Sequence, residues 1–167
     1  MATVRVAILT VSDGVAAGRR DDLSGRAIRE VVEGLGWVVA DYRVVPDEAS
    51  LIMQALREWA DRGLADLILT TGGTGVAPRD VTPEATAAVI ERPVPGLAEA
   101  IRIKSLEFTP FAMLSRGIAG IRGRTLIINL PGSPQGVRQA LGIIGPALPH
   151  AVELLREEPT DHRPHAH

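Results

Sequence analysis

The chain contains no cysteine in 167 residues. That excludes disulfides, thiolate metal sites and cysteine nucleophiles, and it fits a reducing compartment. Histidine is almost as scarce. Of the 4 present, His162, His165 and His167 lie near the C-terminus and only His150 is in the body. A Ser-His-Asp triad or a multi-histidine zinc site therefore finds no support. Lys104 is the only lysine among 18 basic residues, so a P-loop lysine is absent. Aromatic residues make up 3% of the chain. The net charge of −2 lacks the basic excess of a nucleic-acid-binding protein. No apolar run approaches the ~18 residues of a membrane span. The opening MATVRVAILTVSD reads as a strand and not a leader, because Asp13 follows its apolar run with no small-residue cleavage site. A cytoplasmic protein with no membrane partner is expected. Its chemistry is left to carboxylates, arginines, hydroxyls and backbone amides.

What is present alternates between two periods. Residues 4–11, VRVAILTV, read as a strand buried on both faces. Residues 37–45, 66–71 and 124–130 read as three more strands. Between them, residues 24–36, the stretch after Asp47, residues 83–90 and residues 96–107 carry helical spacing, and Gly36 and Gly63 act as stops. PGSP at 131–134 opens a further helix, with Ser133 as N-cap and Pro134 in the first turn. A last helix places Leu148, Ala151, Val152 and Leu155 on one face, with His150 expected as a packed histidine. Residues 108–123 are apolar but aperiodic. Their stretch 108–120 suits either part of an interface or ordinary loop packing. Alternating strands and helices predict one α/β domain over residues 1–157, a three-layer α/β/α fold with a mostly parallel central sheet. Residues 158–167, with the three terminal histidines, are expected to be a disordered tail.

All four strands end in unusual residues. These are Ser12-Asp13-Gly14, Pro46-Asp47, Thr71-Gly72-Gly73-Thr74-Gly75 and Asn129-Leu130-Pro131-Gly132-Ser133. In an open parallel sheet such ends share one edge, where ligands bind, so a crevice is expected at the C-terminal edge of the strands. Closely spaced glycines let backbone amides converge on an anion, although a tight turn needs glycine as well. A helix opening at Ser133 adds a second place for phosphate. GTGVAP lacks the third glycine of the dinucleotide fingerprint. Asp13, Asp47 and Asp80 each follow a strand end. Carboxylates beside phosphate loops suit Mg2+, which takes one or two of them with phosphate oxygens and water. Helix capping is the competing role for Asp47 and Asp80, and a turn for Asp13. Arg79 and Arg102 suit either phosphate or solvent. Trp37, Trp59, Tyr42, Phe108 and Phe111 read as core or interface residues.

Taken in order, TVSD at 10–13, VPDE at 45–48, TTGGTGVAPRDVTPEAT at 70–86, LSR at 114–116, IRGRTLIINLPGSP at 121–134 and PALPHAVELLR at 146–156 resemble one family. It is the molybdopterin adenylyltransferase family of molybdenum cofactor biosynthesis, in particular its single-domain bacterial members and the G domain of gephyrin. The resemblance runs from about residue 3 to 157. It implies a trimeric α/β enzyme that uses ATP and Mg2+ to adenylylate molybdopterin and release pyrophosphate. It also implies essential, metal-holding aspartates at Asp47 and Asp80. Binding loops are implied at Thr71, Gly72, Gly73, Thr74 and Gly75 and at Asn129, Pro131, Gly132 and Ser133, with Ser12 and Asp13 nearby. Gephyrin-like members carry a molybdate-insertion domain, so here that partner would be a separate protein. The alternatives are a catalytically idle pterin-binding paralogue, a scaffold module, and another enzyme on the fold such as the competence-damage-type domain.

Overall fold

The computed structural model describes residues 3–157. The expected disordered tail and its three histidines lie outside the described residues. Six strands form one sheet: β1 (Arg5–Val11), β2 (Val38–Val45), β3 (Leu67–Thr71), β4 (Arg92–Pro93), β5 (Ala119–Arg122) and β6 (Thr125–Leu130), in the order β2-β1-β3-β6-β5-β4. The four strands read from sequence are β1, β2, β3 and β6, and they pair in parallel. The aperiodic stretch 108–123 hides the other pairing. Its last residues form β5, antiparallel to β6 with Arg122 opposite Thr125. Gly123, at φ +60°, supplies the left-handed turn residue between them. β4 was not expected either. It is a two-residue edge strand against β5, where Pro93 is tolerated because an edge residue needs no outward N–H.

The helices are α1 (Asp13–Ala16), α2 (Leu23–Gly34), α3 (Ala49–Asp61), α4 (Thr82–Val89), α5 (Pro95–Ser105), α6 (Pro134–Ile144) and α7 (Leu148–Leu155). They divide between the two faces of the sheet because alternate strand residues point oppositely. Val6, Ile8, Leu67, Leu69, Leu126 and Ile128 pack against α2, α6 and α7. Ala7, Leu9, Val11, Ile68 and Ile127 pack against α3 and α4, with Trp59 in that second core. Burying a side chain such as Ile8 or Leu9 contributes about 1.5–3 kcal/mol, so the strands are held from both sides. No helix among the described residues is long and apolar enough to cross a membrane.

One expectation about an individual residue fails. His150 is not a core residue: its side chain is 44% exposed and lies 3.8 Å from Glu153 on the same helix. The apolar face of α7 is carried by Leu148 and Val152, and position 150 falls off that face at 3.6 residues per turn. Of the residues read as core or interface, Phe108 and Phe111 stand outside the core, being 58% and 74% exposed.

The end of α7 is tied to the sheet by a buried carboxylate. Asp66 accepts from the backbone N–H of Arg5 at 2.8 Å and from Nε of Arg156 at 2.9 Å, while Arg156 also donates to the carbonyl of Thr3 at 2.8 Å. Burial alone would raise the Asp66 carboxyl. The Arg156 guanidinium, then the amide and guanidinium of Arg5, outweigh it and hold the carboxyl below its usual range.

The chain leaves β1 for β2 on one side and later returns to β3 on the other. Strand order therefore reverses between β1 and β3, which opens a crevice at their C-terminal ends.

Candidate functional site

The crevice is assembled from the loops at four strand ends. After β1, the Ser12 hydroxyl accepts from the Val15 N–H and caps α1. Asp13 therefore begins that helix, and its carboxylate is free to reach outward. After β2, the sequence left Asp47 as a possible cap of α3, but the helix is preceded by Glu48 with no side-chain cap. Asp47 instead reaches across to the β1 loop. Its Oδ2 accepts from the Asp13 N–H at 2.8 Å, and Asp13 Oδ1 accepts from the Asp47 N–H at 3.0 Å. This reciprocal clasp locks two loops together at the sheet edge. Arg79 closes over it, donating to both carboxylate oxygens of Asp13 at 2.6 and 3.0 Å and to the carbonyl of Asp47 at 3.3 Å. The Arg79 guanidinium holds the Asp13 carboxyl below its usual range, helped by the Asp47 N–H. Asp47 is pushed the other way. Burial raises it, and the neighbouring carboxylates of Asp13 and Asp80 add to the effect against the Asp13 N–H bond.

The third loop explains its glycines. Gly72 sits at φ +94° with the space of its missing Cβ filled by the carbonyl of Val11. Gly73, at φ +70°, has no room beside the Thr82 hydroxyl, and a Cβ there would lie 3.3 Å from Asp47 Oδ1. Both positions exclude any other residue. Thr82 secures the loop, donating from its hydroxyl to the Gly72 carbonyl at 3.0 Å and from its N–H to the Gly73 carbonyl at 3.1 Å. Asp80 does not cap α4, which is preceded by Val81. It turns back and accepts from the Ala77 N–H at 3.0 Å.

The fourth loop packs directly on the third. The Thr71 hydroxyl donates to the Pro131 carbonyl at 2.6 Å, and a Cβ on Gly132 would stand 3.5 Å from the Gly72 Cα. Ser133 caps α6 as expected, accepting from the Gly136 N–H at 3.0 Å. Asn129 stands behind the crevice instead of facing it. It is buried, with its amide nitrogen 3.0 Å from the hydroxyls of both Thr70 and Thr86 and its oxygen accepting from the Ile118 N–H. Thr71 is also fully buried. These two residues hold the loops and present no free polar group to a ligand.

Arg116 closes the LSR segment at 114–116. It donates from Nε to the Gly75 carbonyl at 2.8 Å and from its terminal nitrogen to the Asp80 carbonyl at 2.7 Å, and pairs with Glu84. Its own N–H donates to the Thr74 carbonyl at 2.8 Å. One guanidinium therefore pins the outer half of the glycine loop. An arginine within an aperiodic stretch carries no local signal for such a role. Arg102 likewise donates to the Gly117 carbonyl at 2.6 Å.

Two cavities meet at these loops. One, of about 520 Å³, has apolar walls from Ile101, Phe108, Phe111 and Leu114 beside Arg102. The other, of about 330 Å³, is polar, with Thr10, Ser12, Asp22 and Asp47 among its walls. Gly73, Asp80 and Gly132 belong to both. Among the described residues no three His, Cys, Asp or Glu side chains form a closed metal site. Asp80 at the junction and Asp47 in the adjoining polar cavity, the latter raised by burial and like charge, nevertheless suit a Mg2+ that takes its remaining oxygens from phosphates and water.

Residues 7–150 match the family described as "Probable molybdopterin binding domain". The chain is 45% identical over 157 residues to the molybdopterin adenylyltransferase of Helicobacter pylori strain J99, covering 93% of this chain and 89% of that protein. It is 40% identical over 149 residues to the Escherichia coli K12 molybdopterin adenylyltransferase, covering 84% and 73%. The crystal structure of the molybdopterin biosynthesis enzyme MoaB from Thermus thermophilus superposes with a TM-score of 0.88 at 57% identity, covering 94% of this chain and 99% of that one. With strand order, loops and both aspartates in place, the chain belongs to the molybdopterin-binding domain family of molybdenum cofactor biosynthesis.

Proposed function

We propose that the protein is a molybdopterin adenylyltransferase, transferring AMP from ATP to the terminal phosphate of molybdopterin. The observation that carries this reading is the pair of cavities divided by a ridge of Gly73, Asp80 and Gly132. A reaction joining two substrates through phosphates needs two ligand spaces meeting at a charged point. The larger, apolar cavity suits a fused heterocycle, and the smaller, polar one suits phosphates. Similarity to proteins named for this activity supports the reading.

In the proposed step, a phosphate oxygen of molybdopterin forms a bond to the α-phosphorus of ATP. The bond from that phosphorus to the bridging oxygen breaks, and pyrophosphate leaves with the electron pair. A phosphate nucleophile is already ionised near neutral pH, so no histidine base is required. That agrees with a junction built from carboxylates and backbone. Asp47 and Asp80 would hold Mg2+, which when bound offsets negative charge on the phosphates. The chain's task is to position two anions. The loop glycines let phosphate approach the backbone. The start of α6, between Ser133 in one cavity and Pro134 in the other, offers the positive end of a helix dipole. The clasp of Asp13 with Asp47 fixes the carboxylate that the step uses.

A homotrimer in the cytoplasm, passing its product to a separate molybdate-insertion protein, completes the proposal. Exposed Phe108, Phe111, Met113 and Leu114 support an interface along the first part of segment 108–120. Its end, by contrast, is buried in β5. Sedimentation should report three chains per particle.

The direct test incubates the protein with molybdopterin, ATP and Mg2+ and follows adenylylated pterin and pyrophosphate. Pterin binding without ATP-dependent product would favour the idle paralogue. Arg116→Ala should lower kcat/KM about 10²-fold, the cost of misplacing reacting groups by about 1 Å. Arg116→Lys should recover little, since a single ammonium cannot span the separate acceptors that the planar fork reaches. Steady-state kinetics beside a thermal melt would check this. An unchanged kcat/KM would remove the positioning role.

A further inference from the structure

The polar cavity has a charge imbalance that the proposed catalytic groups do not resolve. Its walls include Asp21, Asp22, Asp47 and Asp80, while Arg20 is the only basic residue lining it. Nearby Arg79 is already committed to Asp13. Asp22 is engaged too, accepting from the Thr10 hydroxyl at 2.7 Å, from the Gly25 N–H at 2.9 Å and from the Tyr42 hydroxyl. Among the described residues Arg20 makes no ion pair or hydrogen bond. An exposed arginine beside four carboxylates would normally take one as a partner. This one instead lies against α1, over buried Gly14. A Cβ on Gly14 would stand 2.5 Å from Arg20 Nε and 3.2 Å from its Cζ. The missing side chain at position 14 is thus a seat for the guanidinium at the cavity rim.

We infer that Arg20 is a substrate-binding residue that takes the β- and γ-phosphates of the nucleotide in the polar cavity, with Gly14 setting its position. The inference rests on the adenylyl-transfer reading for the identity of the ligand. Three features carry it: an unpaired planar fork suited to bidentate phosphate contact, a cavity without aromatic walls, and an acidic lining that repels a polyphosphate unless cations are supplied. Mg2+ on Asp47 and Asp80 would answer part of that repulsion. Arg20, adjoining Asp21 and Asp22 in sequence and lining the same cavity, supplies a further cation. The substrate phosphate of a pterin has the same chemistry, so the two sources must be separated by experiment.

The test uses Arg20→Gln and Arg20→Lys in the full chain, with thermal melts to establish folding. Calorimetric titration with pyrophosphate and Mg2+ should give about tenfold weaker binding for Arg20→Gln, the loss of one charge-assisted contact, and an intermediate value for Arg20→Lys. AMP binding should be unchanged. In turnover, the KM for ATP should rise about tenfold with the KM for molybdopterin within twofold and kcat largely retained. Gly14→Ala should shift the ATP KM in the same direction in the wild-type background and have no further effect in Arg20→Gln. Unchanged pyrophosphate binding in Arg20→Gln would overturn the inference. So would a rise confined to the molybdopterin KM, and so would a Gly14→Ala effect that persists without Arg20. Absence of adenylyl transfer in the wild-type protein would defeat the proposed function, yet selective loss of pyrophosphate binding in Arg20→Gln would still sustain a polyphosphate site.

Discussion

Asp47→Asn is expected to lower adenylyl transfer by about 10²–10³-fold while leaving the protein more stable at neutral pH. The activity loss is the usual scale for removing a charge that faces developing negative charge or holds the ion that does so. The stability gain follows from the direction of the pKa shift. Burial, and then the carboxylates of Asp13 and Asp80, raise the folded-state value of Asp47 above the unfolded value of about 3.9. A raised carboxyl favours its neutral form in the fold. The native state therefore loses stability as pH rises from the unfolded value through the folded one. An amide keeps an acceptor for the Asp13 N–H without the charge. The variant should melt above the wild type at pH 7, and the gap should close below about pH 4. Thermal melts from pH 3 to 8 beside a turnover assay would read both effects. A variant that loses stability and activity together at pH 7 would mark Asp47 as a structural residue. This opposition of stability and activity is common at functional sites.

Asp66→Ala should have the opposite character: roughly 2–4 kcal/mol of lost stability, read from denaturant unfolding, with a site that is intact when folded. The range reflects a buried carboxylate whose removal strands its donors, reduced because the Arg5 side chain is half exposed and can turn to water. The N–H of Arg5 and the guanidinium of Arg156 lose their acceptor together. The pH dependence also has the reverse sign. Asp66 is held below its unfolded value, so its contribution is present above about pH 3.9 and is lost as pH falls through the depressed folded value. Acid unfolding of the wild type should therefore have a component missing in the variant. Stability within about 0.5 kcal/mol of wild type, the usual range for surface changes, would show that α7 docks without this carboxylate.

Of the four parallel strands, β1, β3 and β6 were legible as near-continuous apolar runs, the signature of a strand covered on both sides, and the edge strand β2 by its β-branched ends. The two remaining strands were not. β4 has two residues, and β5 owes its strand state to pairing with β6 across Gly123. Neither carries a periodic pattern of its own. Among the glycines, Gly72 and Gly73 were singled out from sequence, but their necessity comes from Val11 and Thr82, neighbours supplied by other elements.

The chain's order of residues was enough to establish an α/β domain, its crevice edge and the aspartates that gather there. These follow from local periodicity and from the rule that parallel strands bring their C-terminal ends to one edge. Which of those residues face a ligand depended on packing. Asn129 stands in the same loop as Ser133, yet its amide is spent on Thr70, Thr86 and Ile118. Helix capping was the competing role for Asp47 and Asp80, and both turned instead to other backbone amides. Arg116 became visible only once the distant carbonyls of Gly75 and Asp80 were in place, and Arg20 only once the fold laid it over Gly14. A side chain's polar groups go to whatever neighbours the fold provides, and for these residues the deciding neighbours lie mainly in other elements.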